Sequence, residues 1–219
     1  MDVGAHSGWF TLQALAGPVV AIEAAPQIAQ WLRSNLARNH ASHVRVVEAA
    51  VWSSKGTLGI DPGPAEDPGT TRVRPGNAIP CDTPQALLTP DELAKVRLVK
   101  IDAEGAEQEI VKGLETHRFP DDAEFVLEAR VTDPRRPAVA QQPPDRRNAD
   151  AVFSAFSDYN GFLVPDSYAV SHYLFERPRC ALPRISGTDE MLRVAPHGGD
   201  VLFSRQESVE LHEPELVAR

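Results

Sequence analysis

A glycine turn near the start of the chain is the first feature that points to chemistry. The turn and its approach consist of Asp2, Val3, Gly4, Ala5, His6, Ser7 and Gly8. This pattern is typical of a strand end, a tight turn and the first turn of a helix. Glycine lets a ligand approach bare backbone beside a helix N-terminus. We therefore expect these residues, Asp2 included, to bind a polar ligand.

A carboxylate lies at the end of the next apolar segment: Glu23 comes directly after residues 18–22. A carboxylate about 20 residues after a glycine turn is placed to bind a ribose diol, so the two features predict a nucleoside cofactor. A dinucleotide would need a second glycine beside its pyrophosphate, and His6 stands there instead. S-adenosylmethionine carries no phosphate and fits the turn better than NAD.

Acidic residues lie near the carboxyl ends of the predicted fourth and fifth strands. They are Asp102, Glu104, Glu107 and Glu128. Open parallel sheets bind ligands at the carboxyl ends of their strands. Asp102, Glu104 and Glu128 are therefore candidate catalytic residues, as a proton acceptor or as ligands of a hard divalent cation that orients a hydroxyl. For Glu107 we favour a charge at a helix N-terminus.

Two further positions have a structural and a functional interpretation. Ala49 and Ala50 end the predicted third strand, where small residues leave room for adenine, although core packing explains them equally well. His6 has the chemistry to contact the cofactor carboxylate or to act as a base, but a histidine in a turn is more often a simple hydrogen-bonding residue.

The motifs resemble those of the FkbM family of S-adenosylmethionine-dependent methyltransferases. That family carries D-V-G-A-N-x-G-x-[YF]-[ST], an acidic residue in an E-P-x-P context, and K-I-D-[VT]-E-G-x-E. The corresponding segments here are residues 2–11, 23–26 and 100–107, with Ala24 in place of the first proline. Residues 83–85 stand where the family usually has T-L-D, so Gln85 replaces an acidic residue. The likeness extends from residue 1 to about residue 128.

The resemblance implies a class I methyltransferase-like fold and O-methylation of a sugar, polyketide or other small metabolite. It implies that Asp2 and the turn hold the methionine end of the cofactor, and that Glu23 and Ala24 lie at the ribose. Two alternatives are a cofactor-binding domain without activity and, less favoured, an NAD-binding oxidoreductase.

The composition narrows the class of protein. A net charge of −9 over 219 residues argues against a nucleic-acid partner. Two cysteines are too few for a disulfide framework, and no apolar run is long enough to cross a membrane. We expect a cytoplasmic protein, and the sequence does not indicate its oligomeric state. Because the first strand has only residues 1–3 before the turn, we also expect that an N-terminal segment is missing and that restoring it would raise the thermal midpoint.

Alternating strand and helix patterns predict one α/β domain over residues 1–219, with helices on both faces of a mostly parallel sheet and an antiparallel C-terminal edge. The cofactor-binding part spans residues 1 to about 130, and residues 148–205 complete the sheet. We predict helices at 10–15, 27–39, 107–114 and 151–159 and one starting at 90. We predict strands at 44–51, 58–60, 96–101, 123–128, 168–175 and 200–203. Trp31 is expected in the core, Gly161 at a helix stop, and residues 61–80 and 133–148 in loops.

Overall fold

The computed structural model describes residues 1–14, 17–63, 71–131, 146–164, 180–195 and 198–211. The chain divides into two compact units, Met1–Glu128 and Ala129–Arg219. The prediction of one domain with an internal boundary near residue 130 stays a prediction.

The first unit contains most of the strands formed by the described residues. They are β1 (Asp2–Val3), β2 (Val20–Glu23), β3 (Arg45–Glu48), β4 (Ala50–Val51), β5 (Gly56–Asp61), β6 (Arg72–Pro75), β7 (Ile79–Asp82), β8 (Leu98–Ile101) and β9 (Glu124–Arg130). The last two residues of β9 belong to the second unit. Five of them pair in parallel in the order β9-β8-β1-β2-β3. This arrangement confirms the predicted mostly parallel sheet.

The parallel strands are built from residues that suit burial on both faces. Every residue of β2 is buried, and Val99, Ile101, Phe125 and Leu127 on β8 and β9 have no exposed surface. Runs of β-branched and other apolar residues are typical of such strands. Because the strands run in parallel, the side chains that follow β1, β2, β3 and β8 meet at one edge of the sheet.

Helices connect the parallel strands. They are α1 (Trp9–Gln13), α2 (Pro26–Arg38), α3 (Pro90–Leu93) and α4 (Glu107–Gly113), close to the predicted positions. Helix α2 buries Ile28, Leu32 and Leu36, but Trp31 is 50% exposed, so its predicted core position is wrong. Trp31 lies about 100° around the helix from the centre of that apolar stripe, which turns it toward solvent.

A second, smaller sheet follows the third parallel strand. The predicted strand 44–51 is divided, because β3 ends at Glu48 and β4 joins a four-stranded sheet of order β4-β7-β5-β6. The predicted loop 61–80 is wrong in its described part, since β6 and the start of β7 lie within it. Strands β5 and β6 pair antiparallel, with Ile60 opposite Val73. Proline and glycine in this segment conceal the alternation that would have predicted these strands.

The second unit contains helices α5 (Arg147–Ala155) and α6 (Thr188–Val194) and strands β10 (Asn160–Leu163), β11 (Cys180–Ala181), β12 (Arg184–Ile185), β13 (Gly198–Ser204) and β14 (Glu210–Leu211). Strand β10 pairs antiparallel with β12 and β13, and β13 confirms the strand predicted at 200–203. Gly161 does not stop a helix. It lies in β10, where an added Cβ would come 2.8 Å from the carbonyl oxygen of Ile185. The strand predicted at 168–175 and most of the loop predicted at 133–148 lie outside the described residues.

Among the described residues, no helix has the length and apolar character needed to span a membrane. The predictions of a cytoplasmic location and of no nucleic-acid partner rest on composition and stay predictions.

Candidate functional site

The glycine turn lies against the ends of the two strands that flank β1. The backbone N–H groups of Gly4 and Ala5 both donate to the carbonyl oxygen of Ile22, at 3.0 and 3.1 Å. Gly4 has a φ of 73°, and a Cβ there would lie 1.9 Å from the carbonyl oxygen of Asp102. Only glycine fits a left-handed conformation this close to another backbone. The turn is therefore held tightly between β2 and β8.

Glu23, at the end of β2, is held by backbone groups. Its Oε1 accepts the N–H of Ala25 and its Oε2 accepts the N–H of His6, each at 2.9 Å. The residue is only 7% exposed. Burial raises the pKa of Glu23 above the usual 4.5, and the hydrogen bonds from Ala25 and His6 oppose that rise. The result is a desolvated carboxylate whose orientation is fixed and whose oxygens keep further acceptor capacity.

A cavity of about 270 Å³ opens at the carboxyl ends of β1, β2 and β8. Six of the predicted cofactor-binding residues line it: Gly4, His6, Glu23, Ala24, Ala49 and Ala50. The candidate catalytic residues Asp102 and Glu104 line it as well. Concave sites with a few convergent polar groups on an apolar wall are typical of ligand pockets.

Four other predicted cofactor-binding residues shape the turn without lining this cavity: Asp2, Ala5, Ser7 and Gly8. Asp2 is 1% exposed, and its Oδ2 accepts the Thr11 hydroxyl at 2.5 Å, which ties β1 to α1. Burial raises the pKa of Asp2, while Lys100 and the Thr11 hydrogen bond oppose the rise. The Ser7 carbonyl oxygen accepts the side-chain amide of Asn35 at 2.8 Å.

Three carboxylates gather near the carboxyl ends of β8 and β9. Asp102, Glu107 and Glu128 each offer an oxygen, and these oxygens lie within 4.8 Å of one another. Glu107 has no exposed surface, and its Oε1 accepts the N–H groups of Ala103 at 2.8 Å and Gly105 at 3.3 Å. Glu107 thus holds the acidic turn together. Glu104 is not in this group but has a φ of 52°, an uncommon conformation for a residue with a side chain.

Lys100 lies beside Asp102, with Nζ 3.1 Å from Oδ2. Residues two apart in an extended segment project to the same side, which brings these two side chains together. The ammonium group balances the charge of Asp102. Carboxylate oxygens suit a hard cation such as Mg²⁺ or Ca²⁺, but here the neighbouring ammonium group already supplies positive charge.

The small sheet contributes a wall that the sequence did not predict. Ile60 on β5 and Thr71, Arg72 and Val73 at β6 line the cavity. Val73 was the one available signal, but it lay in segment 61–80, which was interpreted as a loop, whereas Ile60 ended the predicted strand 58–60.

Gln85 lies away from the cavity. Its Nε2 donates to the Gly113 carbonyl oxygen at 2.8 Å, and its Oε1 accepts the N–H of Glu115 at 3.4 Å. This departure from the family pattern fixes the end of α4 and removes no acidic group from the cavity.

The strand order, the turn after β1 and the carboxylate after β2 define an α/β fold of the class I methyltransferase type. The family model of the methyltransferase FkbM domain matches residues 2–138. The chain belongs to this family.

One solved FkbM structure has a similar fold, and a second methyltransferase is a more distant match. The FkbM methyltransferase from Methylobacillus flagellatus KT is 16% identical with a TM-score of 0.51, and the alignment covers 92% of this chain and 42% of that one. This chain thus spans less than half of that protein. The precorrin-6y C5,15-methyltransferase from Geobacter metallireducens GS-15 is 16% identical over 93% of this chain and 77% of that one, with a TM-score of 0.43. No curated protein matches the chain.

Proposed function

We propose that this protein transfers the methyl group of S-adenosylmethionine to a hydroxyl group of a small molecule. The observation that carries the proposal is Glu23, which His6 and Ala25 hold at the cavity edge through two 2.9 Å hydrogen bonds. A carboxylate fixed one strand after a glycine turn is suited to a ribose diol. Membership of the FkbM family supports methyl transfer as the reaction.

The charges around the cavity favour S-adenosylmethionine over a dinucleotide. Glu23, Asp102 and Glu104 line it against one permanent cation, Arg72, among the described residues. Three carboxylates repel a pyrophosphate and attract a sulfonium and an ammonium group. His6 also occupies the position where a dinucleotide site needs glycine.

The cavity residues have distinct roles in this proposal. S-adenosylmethionine supplies a methyl group on a sulfonium, which is already a good leaving group. The substrate oxygen forms a bond to the methyl carbon, the carbon–sulfur bond breaks, and its electron pair stays on sulfur. Asp102 accepts the hydroxyl proton, because it lines the cavity and is 41% exposed at its side chain. The remaining contribution of the protein is alignment of the two reactants.

We propose a sugar, a polyketide or another small metabolite as the substrate class. Glu104 would accept hydrogen bonds from its hydroxyl groups because it lines the cavity, whereas Glu128 does not line it. Binding of a divalent cation by Asp102, Glu107 and Glu128 is the competing interpretation of these carboxylates, and it predicts that a chelator abolishes transfer.

Calorimetric titration with S-adenosylmethionine, S-adenosylhomocysteine and NAD tests the cofactor. We expect both methionine-derived ligands to bind and NAD not to bind. Methyl transfer is then measured with radiolabelled S-adenosylmethionine and a panel of hydroxylated acceptors, with EDTA and with Mg²⁺ in parallel. Binding without transfer to any acceptor would favour a cofactor-binding domain without activity. Binding of NAD alone would favour an oxidoreductase and overturn the proposal.

A further inference from the structure

His6 occupies an unusual backbone conformation inside the candidate site. Its φ is 47°, in the left-handed region that few residues other than glycine adopt. In this conformation its N–H points at Glu23 and donates to Oε2 at 2.9 Å. Such conformations persist where the surroundings impose them, and they concentrate at functional sites. The backbone bond therefore holds residue 6 beside the Glu23 carboxylate, and both residues line the cavity.

The ring of His6 carries a polar atom that the described protein leaves unsatisfied. Nε2 is buried and has no hydrogen-bond partner among the described residues, and His6 lines the cavity together with Glu23. A buried nitrogen without a partner is unfavourable, and native structures rarely keep one without a reason. The position of the ring makes a bound ligand the natural partner.

We propose that His6 Nε2 contacts the ribose of the bound nucleoside and that His6 and Glu23 together recognise the diol. This inference rests on the proposed cofactor. An ionised glutamate only accepts hydrogen bonds, whereas each ribose hydroxyl both donates and accepts. A hydroxyl that donates to Glu23 therefore still needs a donor, and an imidazole N–H supplies one. In this arrangement His6 is a binding residue and does not act as the base.

The position of His6 favours contact with the ribose over contact with the methionine end of the ligand. The backbone hydrogen bond between His6 and Glu23 places residue 6 beside the end of β2, where the diol is expected. Contact with the methionine carboxylate would instead make His6 part of the turn's amino-acid site. S-adenosylhomocysteine and 5′-methylthioadenosine distinguish the two, because they share the nucleoside and only the first carries the amino-acid group.

The test uses His6→Gly and a matched control. Glycine adopts the left-handed conformation without strain and keeps the N–H that holds Glu23. His40 is the control because it is also a left-handed histidine, with a φ of 55°, but is exposed and lies outside the cavity. We expect His6→Gly to weaken binding of both ligands by about tenfold, the scale of one hydrogen bond to a buried group. His40→Gly should leave both affinities unchanged.

Each outcome decides between contacts. An equal loss for both ligands supports the ribose contact, whereas a loss confined to S-adenosylhomocysteine places His6 at the methionine end and overturns the inference. Unchanged affinities in His6→Gly overturn it as well. If the wild-type protein binds neither ligand, the proposed function itself fails.

A second measurement needs no variant. The ¹⁵N resonance of His6 Nε2 in the wild-type protein should shift when 5′-methylthioadenosine is added. A resonance that stays unchanged at saturation contradicts the contact.

Discussion

In the first unit, both ends of the parallel strands border a cavity, but the charged residues at the two ends are in different states. The carboxyl ends border the cavity of about 270 Å³ that contains Glu23 and Asp102. The amino ends border a larger cavity of about 450 Å³, which Arg45, Glu92 and Lys95 line. Size alone would therefore select the wrong edge of the sheet.

The state of the charged groups separates the two edges. At the amino ends Arg45 binds Glu92 through Nε to Oε1 at 2.6 Å and Nη2 to Oε2 at 2.7 Å. Burial acts to raise the pKa of Glu92, but hydrogen bonds from Arg45 and Thr89 together hold it below the usual 4.5. Glu23 shows the opposite shift, because its burial outweighs the hydrogen bonds of backbone groups. A carboxylate kept desolvated without a paired cation is expected where a ligand binds.

The backbone also differs between the edges. Gly4, His6 and Glu104 line the smaller cavity in left-handed conformations, and no residue that lines the larger one has a positive φ. Strained backbone marks sites that the fold maintains for function. Substitutions at the two edges should therefore have different effects on stability and on binding.

Gly4→Ala should have the largest effect. The new Cβ would lie 1.9 Å from the Asp102 carbonyl oxygen at a φ of 73°. Steric overlap and a left-handed alanine together should lower the free energy of unfolding by about 3–5 kcal/mol. Gly105→Ala is the control, because its φ is 101° but no atom lies within 4 Å of the added Cβ. It should cost about 1–2 kcal/mol in urea denaturation. Equal losses in the two variants would show that close packing of the turn does not matter.

Asp102→Asn should abolish most of the methyl transfer and little of the binding. The substitution keeps the size of the side chain and removes the proton acceptor beside Lys100. We expect kcat to fall by about 100-fold, the range for general base catalysis, with the affinity for S-adenosylhomocysteine nearly unchanged. Radiolabel transfer to the best acceptor measures the first quantity and calorimetry the second. Near-normal turnover would leave the acidic group with a structural role alone.

Glu23→Ala should weaken binding of the cofactor. Loss of hydrogen bonds to an ionised group should reduce the affinity for S-adenosylhomocysteine by about 1.5–3 kcal/mol. Glu48 is a matched control, because it pairs in register with Glu23 on the next strand but is exposed and lies outside the cavity. Glu48→Ala should bind normally. If a folded Glu23→Ala protein also binds normally, Glu23 does not hold the ribose.

The raised pKa of Glu23 makes binding depend on pH. Its protonated form accumulates at a higher pH than in an ordinary glutamate, whose pKa is 4.5. The neutral acid accepts hydrogen bonds from the ribose less well than the carboxylate. The affinity for the cofactor should therefore fall as the pH drops through the raised pKa, and below it the loss should approach about tenfold per pH unit. The effect on folding has the opposite sign. Because the pKa of Glu23 is raised, its ionised form destabilises the folded state, so the free energy of unfolding should fall as the pH rises from 4.5 through the raised value. Calorimetry from pH 7 downward should give a flat profile for Glu23→Gln, and an equally steep profile would assign the dependence to another group.

Local patterns predicted the parts of the site that are each formed by a few consecutive residues. The turn around Gly4, the carboxylate at Glu23 and the acidic turn at Asp102 each follow a strand, and parallel pairing alone brings strand ends together. The wall residues Arg72 and Val73 were missed because β6 depends on pairing with β5, which no local periodicity reports. The contacts of Gln85 were not predicted for a similar reason, since its partners lie about 30 residues further along the chain. Long-range contacts decide these features, and a single sequence does not contain them.

The smallest effect is expected at the opposite edge, where Arg45 and Glu92 form a partly exposed pair. Their side chains are 41% and 26% exposed, so solvent screens the interaction. We expect Arg45→Ala to lower the free energy of unfolding by about 0.5–1 kcal/mol and to leave the affinity for S-adenosylhomocysteine unchanged. A double-mutant cycle with Glu92→Ala separates the coupling of the pair from the other contact of Arg45, the 2.9 Å hydrogen bond to the Leu87 carbonyl oxygen. A coupling energy near zero would agree with solvent screening. A loss of cofactor affinity in either single variant would instead mean that the two ends of the sheet are energetically linked, and the separation of a ligand-binding edge from a structural edge would not hold.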